Sequence, residues 1–307
     1  MSIFVAGGHI NYYPGLSSST GMINFSGRSC RPLHLPFAMQ NSVQGLKTKS
    51  GEPLICGKTI RISAPAIFLP STSVCIKYVK DTNRWEVMAN FTELEGAYAL
   101  PLSNGSYWIV GGEYHPSSSY LFNGEDAMVE GPPLMENFAY SCALQISENK
   151  TLLVSINAYV FNHEDGSWTQ LPDFRLGELN SPVSWNNQAC GVIRDEYKTP
   201  KYAVFAGGNF GRASRILDLA SLTWIVGPDL PFAIRNPSSL SYKDTFLFLG
   251  GHAFYNNPVL DGTGRAHSRY VVQFDPVNID WIVRPERGFS TGLPYAVWVE
   301  NDAIQCY

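Results

Sequence analysis

Charge is the first thing this sequence is short of. Only 16% of its 307 residues are Asp, Glu, Lys or Arg, against roughly 25% in a typical soluble domain. A coiled coil or a charge-laced helical bundle needs far more. The 22 Lys and Arg are outnumbered by 26 Asp and Glu, for a net charge of −4. A nucleic-acid surface needs a basic stripe, so that partner is excluded. Long apolar runs are missing too: none approaches the roughly 18 residues of a spanning helix. The start, MSIFVAGGHINYY (1–13), lacks the basic and apolar regions of a signal peptide. None of the six cysteines (Cys30, Cys56, Cys75, Cys142, Cys190, Cys306) forms a CxxC pair, so zinc-site spacing is absent. No P-loop, GxGxxG or GxSxG occurs, and GEPLICGKT (51–59) misses the first by one residue.

Turn residues and rings are abundant instead. There are 27 Gly and 20 Pro, and aromatics make up 13%. Such a chain is not disordered. Its length suits two ordinary domains or one large all-β domain.

An internal repeat decides between these. Four apolar runs end in Gly-Gly: IFVAGG (3–8), YWIVGG (107–112), YAVFAGG (202–208) and FLFLGG (246–251). PLICGK (53–58) and TLLVSI (151–156) are degenerate copies. The strand ends fall at 7, 57, 111, 155, 207 and 250, at intervals of 43 to 54 residues. That is about the length of a four-stranded propeller blade. After each run comes an alternating strand, a tight turn and a strand that opens with Trp. Trp85, Trp168, Trp224 and Trp281 recur at one position, and Met128 replaces Trp in one copy. The first unit shows only MINFSGRSCRPL (22–33). Gly pairs at a strand end permit positive φ and close backbone approach. A Trp between blades fills the wedge that widens with radius.

These residues resemble the kelch repeat, over nearly the whole chain. They look further like the divergent, Cys-containing kelch proteins of invertebrates, in which a Cys-Gly-Gly strand end and a following Cys recur, roughly as Cys56 and Cys75 do. The resemblance implies a six-bladed all-β propeller in one domain, 1–307. The first blade begins at its second strand, so PYAVWV (294–299) is expected to pair with 3–7 and close the ring. The tail AIQCY (303–307) competes for the same place. Cys56 ends a second strand and Cys75 begins a third, which makes a disulfide between them the expectation. Cys142 and Cys190 sit at small apolar positions of first strands and read as buried thiols. The sequons at Asn24, Asn90, Asn104 and Asn149 lean with the cysteines toward an extracellular glycoprotein; the cytoplasm is the alternative.

The loops after the Gly pairs should share one face with the connections between blades. Three of them, 9–20, 58–73 and 252–268, are longer than hairpins need, and long ordered loops are often functional. Together with 112–118 and 209–214 they carry His9, Tyr12, Tyr13, Arg61, Tyr114, His115, Phe210, Arg212, His252, Phe254, Tyr255, Asn256 and Arg265. Tyr13, Tyr255 and Arg265 lead the expected binding residues, because interface hot spots favour Tyr and Arg. His9, Tyr12, His252, Phe254 and Asn256 complete an aromatic ridge. His9, His115 and His252 follow Gly pairs in different blades, too scattered for a metal site. A galactose-oxidase-like copper site would need a Cys cross-linked to a Tyr, and no Cys lies in the long loops of blades one or six. A sialidase would need repeated Asp-boxes, and Glu164-Asp-Gly-Ser-Trp stands alone. The expected function is therefore a non-catalytic, monomeric scaffold without cofactor or metal, binding a protein or an extracellular glycan. A sugar-acting enzyme with its site at the propeller axis is the second reading.

Overall fold

The structure is a computed structural model. It describes residues 2–7, 20–23, 33–36, 38–40, 43, 46–59, 62–63, 67–68, 72–88, 94–102, 104–174, 188–208, 211–242, 245–255, 264–268, 270–285, 295–300 and 304. Among these there is no helix, and hence none long and apolar enough to cross a membrane. The chain divides into two compact units, 1–136 with 291–307, and 137–290.

In the first unit, sheet A has the order Thr20–Ile23, Ser2–Ala6, Tyr295–Val299. Sheet B runs Met39–Gln40, Leu54–Thr59, Thr72–Val79, Arg84–Val87. Sheet C runs Tyr98–Pro101, Tyr107–Val110, Ser119–Phe122, Met128–Glu130. A small ladder joins Ile62–Ser63 to Ile67–Phe68. In the second unit, sheet D runs Cys142–Gln145, Lys150–Val154, Ala158–Asn162, Trp168–Gln170. Sheet E runs Gln188–Arg194, Pro200–Gly207, Ser214–Asp218, Thr223–Val226. Sheet F runs Ser238–Tyr242, Thr245–Leu249, Tyr270–Asp275, Asp280–Pro285. Sheet G holds Ala233–Arg235, His252–Tyr255 and Gly264–His267.

The expectation of six four-stranded blades needs correction. Five sheets, B to F, have four strands in blade order. Sheet A has three strands among the described residues, which do not include 24–32. Its closing strand is the C-terminal one: Ser2 pairs with Val299 and Ala6 with Tyr295, antiparallel throughout. Both strands are almost wholly buried, so apolar matching across the ladder sets this register. In the tail, Ile304 is buried in the same cluster as Phe4, Tyr295 and Val297.

Burial is alternating or continuous according to a strand's place in its sheet. The second strands are buried along nearly their whole length, as in Tyr107–Val110 and Thr245–Leu249. The fourth strands are largely exposed, as in Arg84–Val87 and Thr223–Val226. The tryptophans of these outer strands turn back inward. Trp85 Nε1 donates to Leu33 O at 3.2 Å, Trp224 Nε1 to Pro172 O at 3.0 Å and Trp281 Nε1 to Pro228 O at 3.0 Å. Each acceptor lies 52 or 53 residues upstream, so one repeat is tied to the next. The ring of Trp281 meets Phe246, Phe248 and Phe274 at 5.1 to 6.1 Å. Met128 keeps some bulk at this position but has no N–H to donate.

The turns before the fourth strands are built by one side chain. Asp218 Oδ1 accepts from the N–H groups of Ala220 and Ser221. Asp275 does so for Val277 and Asn278, and Asn123 for Glu125, Asp126 and Ala127. An Asx side chain bonding the backbone two residues on is the local reason these hairpins form.

Two disulfides are present among the described residues. Cys56 and Cys75 face each other across sheet B, with Cα atoms 4.0 Å apart. Cys142 and Cys190, read as free core thiols from sequence, are instead bonded, with Cα atoms 6.2 Å apart. They sit on the first strands of sheets D and E, which share no ladder. Their separation of 48 residues is about one repeat, and successive repeats bring such positions side by side. Cys30 and Cys306 lie outside the described residues.

Candidate binding surface

The Gly-Gly ends of sheets E and F hold a third structure between them. Gly207 has φ +72, and a Cβ there would meet Ile234 O at 2.9 Å. Gly251 has φ +83, and a Cβ there would meet Arg235 O at 2.9 Å. Positive φ and lack of space each demand glycine at these positions. The backbone that approaches is the strand Ala233–Arg235 of sheet G. Gly208 N donates to Ile234 O at 2.9 Å, and Ser268 N to Gly251 O at 3.0 Å. Sheet G is thus anchored by main-chain bonds to two rigid sheet ends.

The segment 252–268, expected to be a long loop, is a hairpin at both its ends. His252 pairs with His267, Ala253 with Ala266, Phe254 with Arg265 and Tyr255 with Gly264. On the other edge Arg235 pairs with His252, Ile234 with Ala253 and Ala233 with Phe254. Ile234 and Ala253 are fully buried in the core of the second unit, while Arg235 and His252 are half-buried. Because strand residues alternate between faces, one face of sheet G is the core face. Arg235 and His252 share the other face, and register positions 254 and 265 fall on the same side as 252. Position 255 alternates to the side of Ala253. Burying an Ile contributes about 1.5–3 kcal/mol, so the core row fixes which positions remain for contact.

The other candidates land in several places. His9, Tyr12, Tyr13, Arg61, Phe210 and Asn256 lie outside the described residues. Tyr114 and His115 are exposed in the first unit, in the turn between Tyr107–Val110 and Ser119–Phe122. Arg212 is engaged in its own loop, where its Nε donates to Leu230 O at 2.6 Å. The residues that sequence reasoning missed are Arg235, Gln188 and Asn236. Arg235 and Asn236 stand in LPFAIRNP (230–237), between the last strand of sheet E and the first of sheet F.

Burial shapes the other titratable groups. The Tyr295 hydroxyl donates to Leu46 O, and Lys47 N donates to the Tyr107 hydroxyl at 3.0 Å. Burial pushes both phenols up, Tyr295 well above the usual range, and pushes Tyr98 to about 12. These phenols stay protonated at neutral pH and work as hydrogen-bonding core groups. Among the described residues no group of three or more His, Cys, Asp or Glu is placed to hold a metal ion.

No family model matches the chain, and no curated protein does. Solved structures do match. One titled "Structure of YjhT" superposes with a TM-score of 0.61 over 92% of this chain and 97% of that one, at 12% identity. The likeness covers nearly all of both chains, so it concerns the whole architecture. The fold is a β-propeller. At 12% identity the likeness establishes the fold alone. In propeller terms the five four-stranded sheets are blades, and sheet G is an insertion mounted on blade ends.

Proposed function

We propose that this propeller is a non-catalytic, kelch-type binding scaffold of one domain. Sheets A to F serve as its six blades, and the post-Gly-Gly loops meet a protein or extracellular glycan. The observation that carries this reading is sheet G. Both ends of the long segment 252–268, at 252–255 and 264–267, are held as paired strands by main-chain bonds and a buried apolar row. Pre-organised contact residues lose little entropy on binding. Sheet G presents Arg235 and His252 and carries Phe254, Tyr255 and Arg265; Tyr13, Tyr12, His9 and Asn256, outside the described residues, are further proposed contacts. The two disulfides support an oxidising, extracellular setting. Asn104, exposed at the tip of a hairpin, suits a glycan there.

The test compares the intact protein with a Tyr255→Ala/Arg265→Ala variant on arrays of glycans and of extracellular proteins, with a thermal melt of each. Hot-spot truncation typically costs about 2 kcal/mol or more. The reading expects weakened binding; because position 255 lies on the core side of sheet G, Arg265→Ala is also measured alone and is expected to weaken binding with an unchanged melting temperature. Unchanged binding with a lowered melting temperature makes sheet G structural and places the contact surface elsewhere.

A further inference from the structure

The first strands of sheets E and F run side by side within the second unit. Cys190 N donates to Ser239 Oγ at 3.1 Å, and Val192 N to Ser241 Oγ at 2.9 Å. Both pairs are 49 residues apart. Continuing that register sets Gln188 beside Pro237, next to Asn236. Gly191 makes the approach feasible: a Cβ there would overlap the Phe246 ring and lie 2.6 Å from Ser241 Oγ. Both strand starts lie at the Gly-Gly end, since Gln188 pairs with Gly207 and Ser238 with Leu249.

Two amides there are left without partners. Gln188 is 6% exposed, and neither its Oε1 nor its Nε2 makes a hydrogen bond. The Oδ1 of Asn236 is also buried and unbonded, and its backbone is held at φ 54. A buried polar group left unpaired costs about 1–3 kcal/mol, and folded proteins keep few of them. Two carbonyl oxygens ask for donors, and one amide nitrogen asks for an acceptor. An anion would be repelled by the two oxygens, and a cation by the NH2. A set of hydroxyls, each donor and acceptor, satisfies all three.

We infer that the starts of strands Gln188–Arg194 and Ser238–Tyr242 form a subsite for the hydroxyls of a neutral saccharide, read by the Gln188 amide and Asn236 Oδ1. The inference rests on the scaffold reading and names its ligand class. The subsite is pre-organised: the Cys142–Cys190 bond fixes one side, with Cys142 Sγ 3.7 Å from Gln188 O, and Ser239 and Ser241 fix the other.

The experiment uses the full chain with glucose, galactose, mannose and N-acetylglucosamine as probes. Hydrogen exchange is followed by mass spectrometry over 188–194 and 236–242, and affinity by calorimetry. At least one sugar is expected to slow exchange in both segments. Gln188→Leu removes the amide at similar volume, and Asn236→Gly keeps the positive φ while removing Oδ1. Each is expected to weaken binding roughly tenfold or more, the loss expected when one hydrogen-bonded group is deleted, with a melting temperature equal to or above that of the parent. If no sugar alters exchange or binds, the amides hold only buried water and the inference is overturned. Sugar binding that survives both substitutions overturns it equally. Should Gln188→Leu fail to fold, Asn236→Gly and the parent's exchange decide. A protein that ignores all four sugars yet loses an array partner through Tyr255→Ala/Arg265→Ala leaves the scaffold reading standing alone.

Discussion

The two units cross-link themselves in different directions. In the first, Cys56–Cys75 joins the second and third strands of one sheet. Those residues already oppose each other in a hydrogen-bonded ladder, so the bond closes a local loop. In the second, Cys142–Cys190 joins the first strands of two different sheets. Ser239 and Ser241 then continue the connection from sheet E to sheet F by accepting from backbone N–H groups on the edge of sheet E. A first strand is a sheet edge with unpaired donors, which proteins cover or pair. The second unit covers these edges with a disulfide and serine hydroxyls. Sheet A of the first is completed by a strand from the far end of the chain. Covalent bonding within a sheet reinforces what the ladder does already; bonding between sheets supplies what no ladder supplies.

The largest effect should come from deleting 292–307. Sheet A would fall to two strands, and the buried residues Ser2–Ala6 would become an open edge. A two-stranded sheet is marginal in water, so the truncated protein should lose cooperative unfolding in a circular-dichroism melt. A sharp transition at the parent's temperature would show that the terminal strand is dispensable.

Next comes the repeat tie. Trp281→Ala removes three ring contacts and the bond to Pro228 O, and should cost about 3–5 kcal/mol. Trp281→Phe keeps most ring area and should cost clearly less. Denaturant unfolding that finds the two equal would assign the effect to the N–H alone.

Replacing the cysteine pairs by Ala sharpens the comparison directly. Loop closure over 48 residues gives about 4 kcal/mol, and over 19 residues about 3 kcal/mol. The Cys142/Cys190 variant should therefore be the less stable of the two. It alone should show faster hydrogen exchange at the first strands of both sheets D and E. A reversed order would mean that strand pairing in sheet B depends on its disulfide.

The smallest effect concerns acid. Backbone and side-chain bonds from Ser221 hold the Asp218 carboxyl below its usual range, and Asn278 and Val277 do the same for Asp275. A carboxyl with a depressed folded value adds stability above its unfolded value of about 3.9, and loses it as pH falls through the folded value. The corresponding turn of sheet C uses Asn123, which does not titrate. Asp218→Asn should leave stability at neutral pH nearly unchanged and flatten the loss below about pH 4. An identical acid limb in the variant would remove Asp218 from the acid response.

Much of this was legible because it is local or periodic. The Gly pairs marked second-strand ends, since positive φ and close carbonyls admit only glycine at positions such as Gly207 and Gly251. The recurring Trp marked the fourth strands. Cys56 and Cys75 were readable as partners because both fall within one hairpin. The Cys142–Cys190 bond was not, although its spacing of one repeat was the available signal, because sheet-to-sheet proximity is set by packing. Sheet G was hidden for a related reason. Its central strand follows a Gly pair, but its partner Ala233–Arg235 belongs to neither the Gly-Gly nor the Trp pattern of the repeat.

By itself, then, the sequence determined the β-rich class, the repeat length, the hairpin turns, the outer-strand tryptophans and the pairing of the two chain ends. The first four follow from backbone sterics, side-chain alternation or turn chemistry acting within one repeat; the last follows from the phase of the repeat, which leaves the first unit short of a strand that the C-terminal one supplies. Only the tertiary structure decided which first strands touch, that Cys142 meets Cys190, and that Gly191 lets Ser241 and Phe246 close in. It also decided that 252–255 and 264–267 pair on a buried Ile234–Ala253 row, and that the Gln188 amide and Asn236 Oδ1 are buried at neighbouring strand starts. Those features depend on distances between repeats, which arise from packing whole sheets against one another and leave no fixed spacing in the chain.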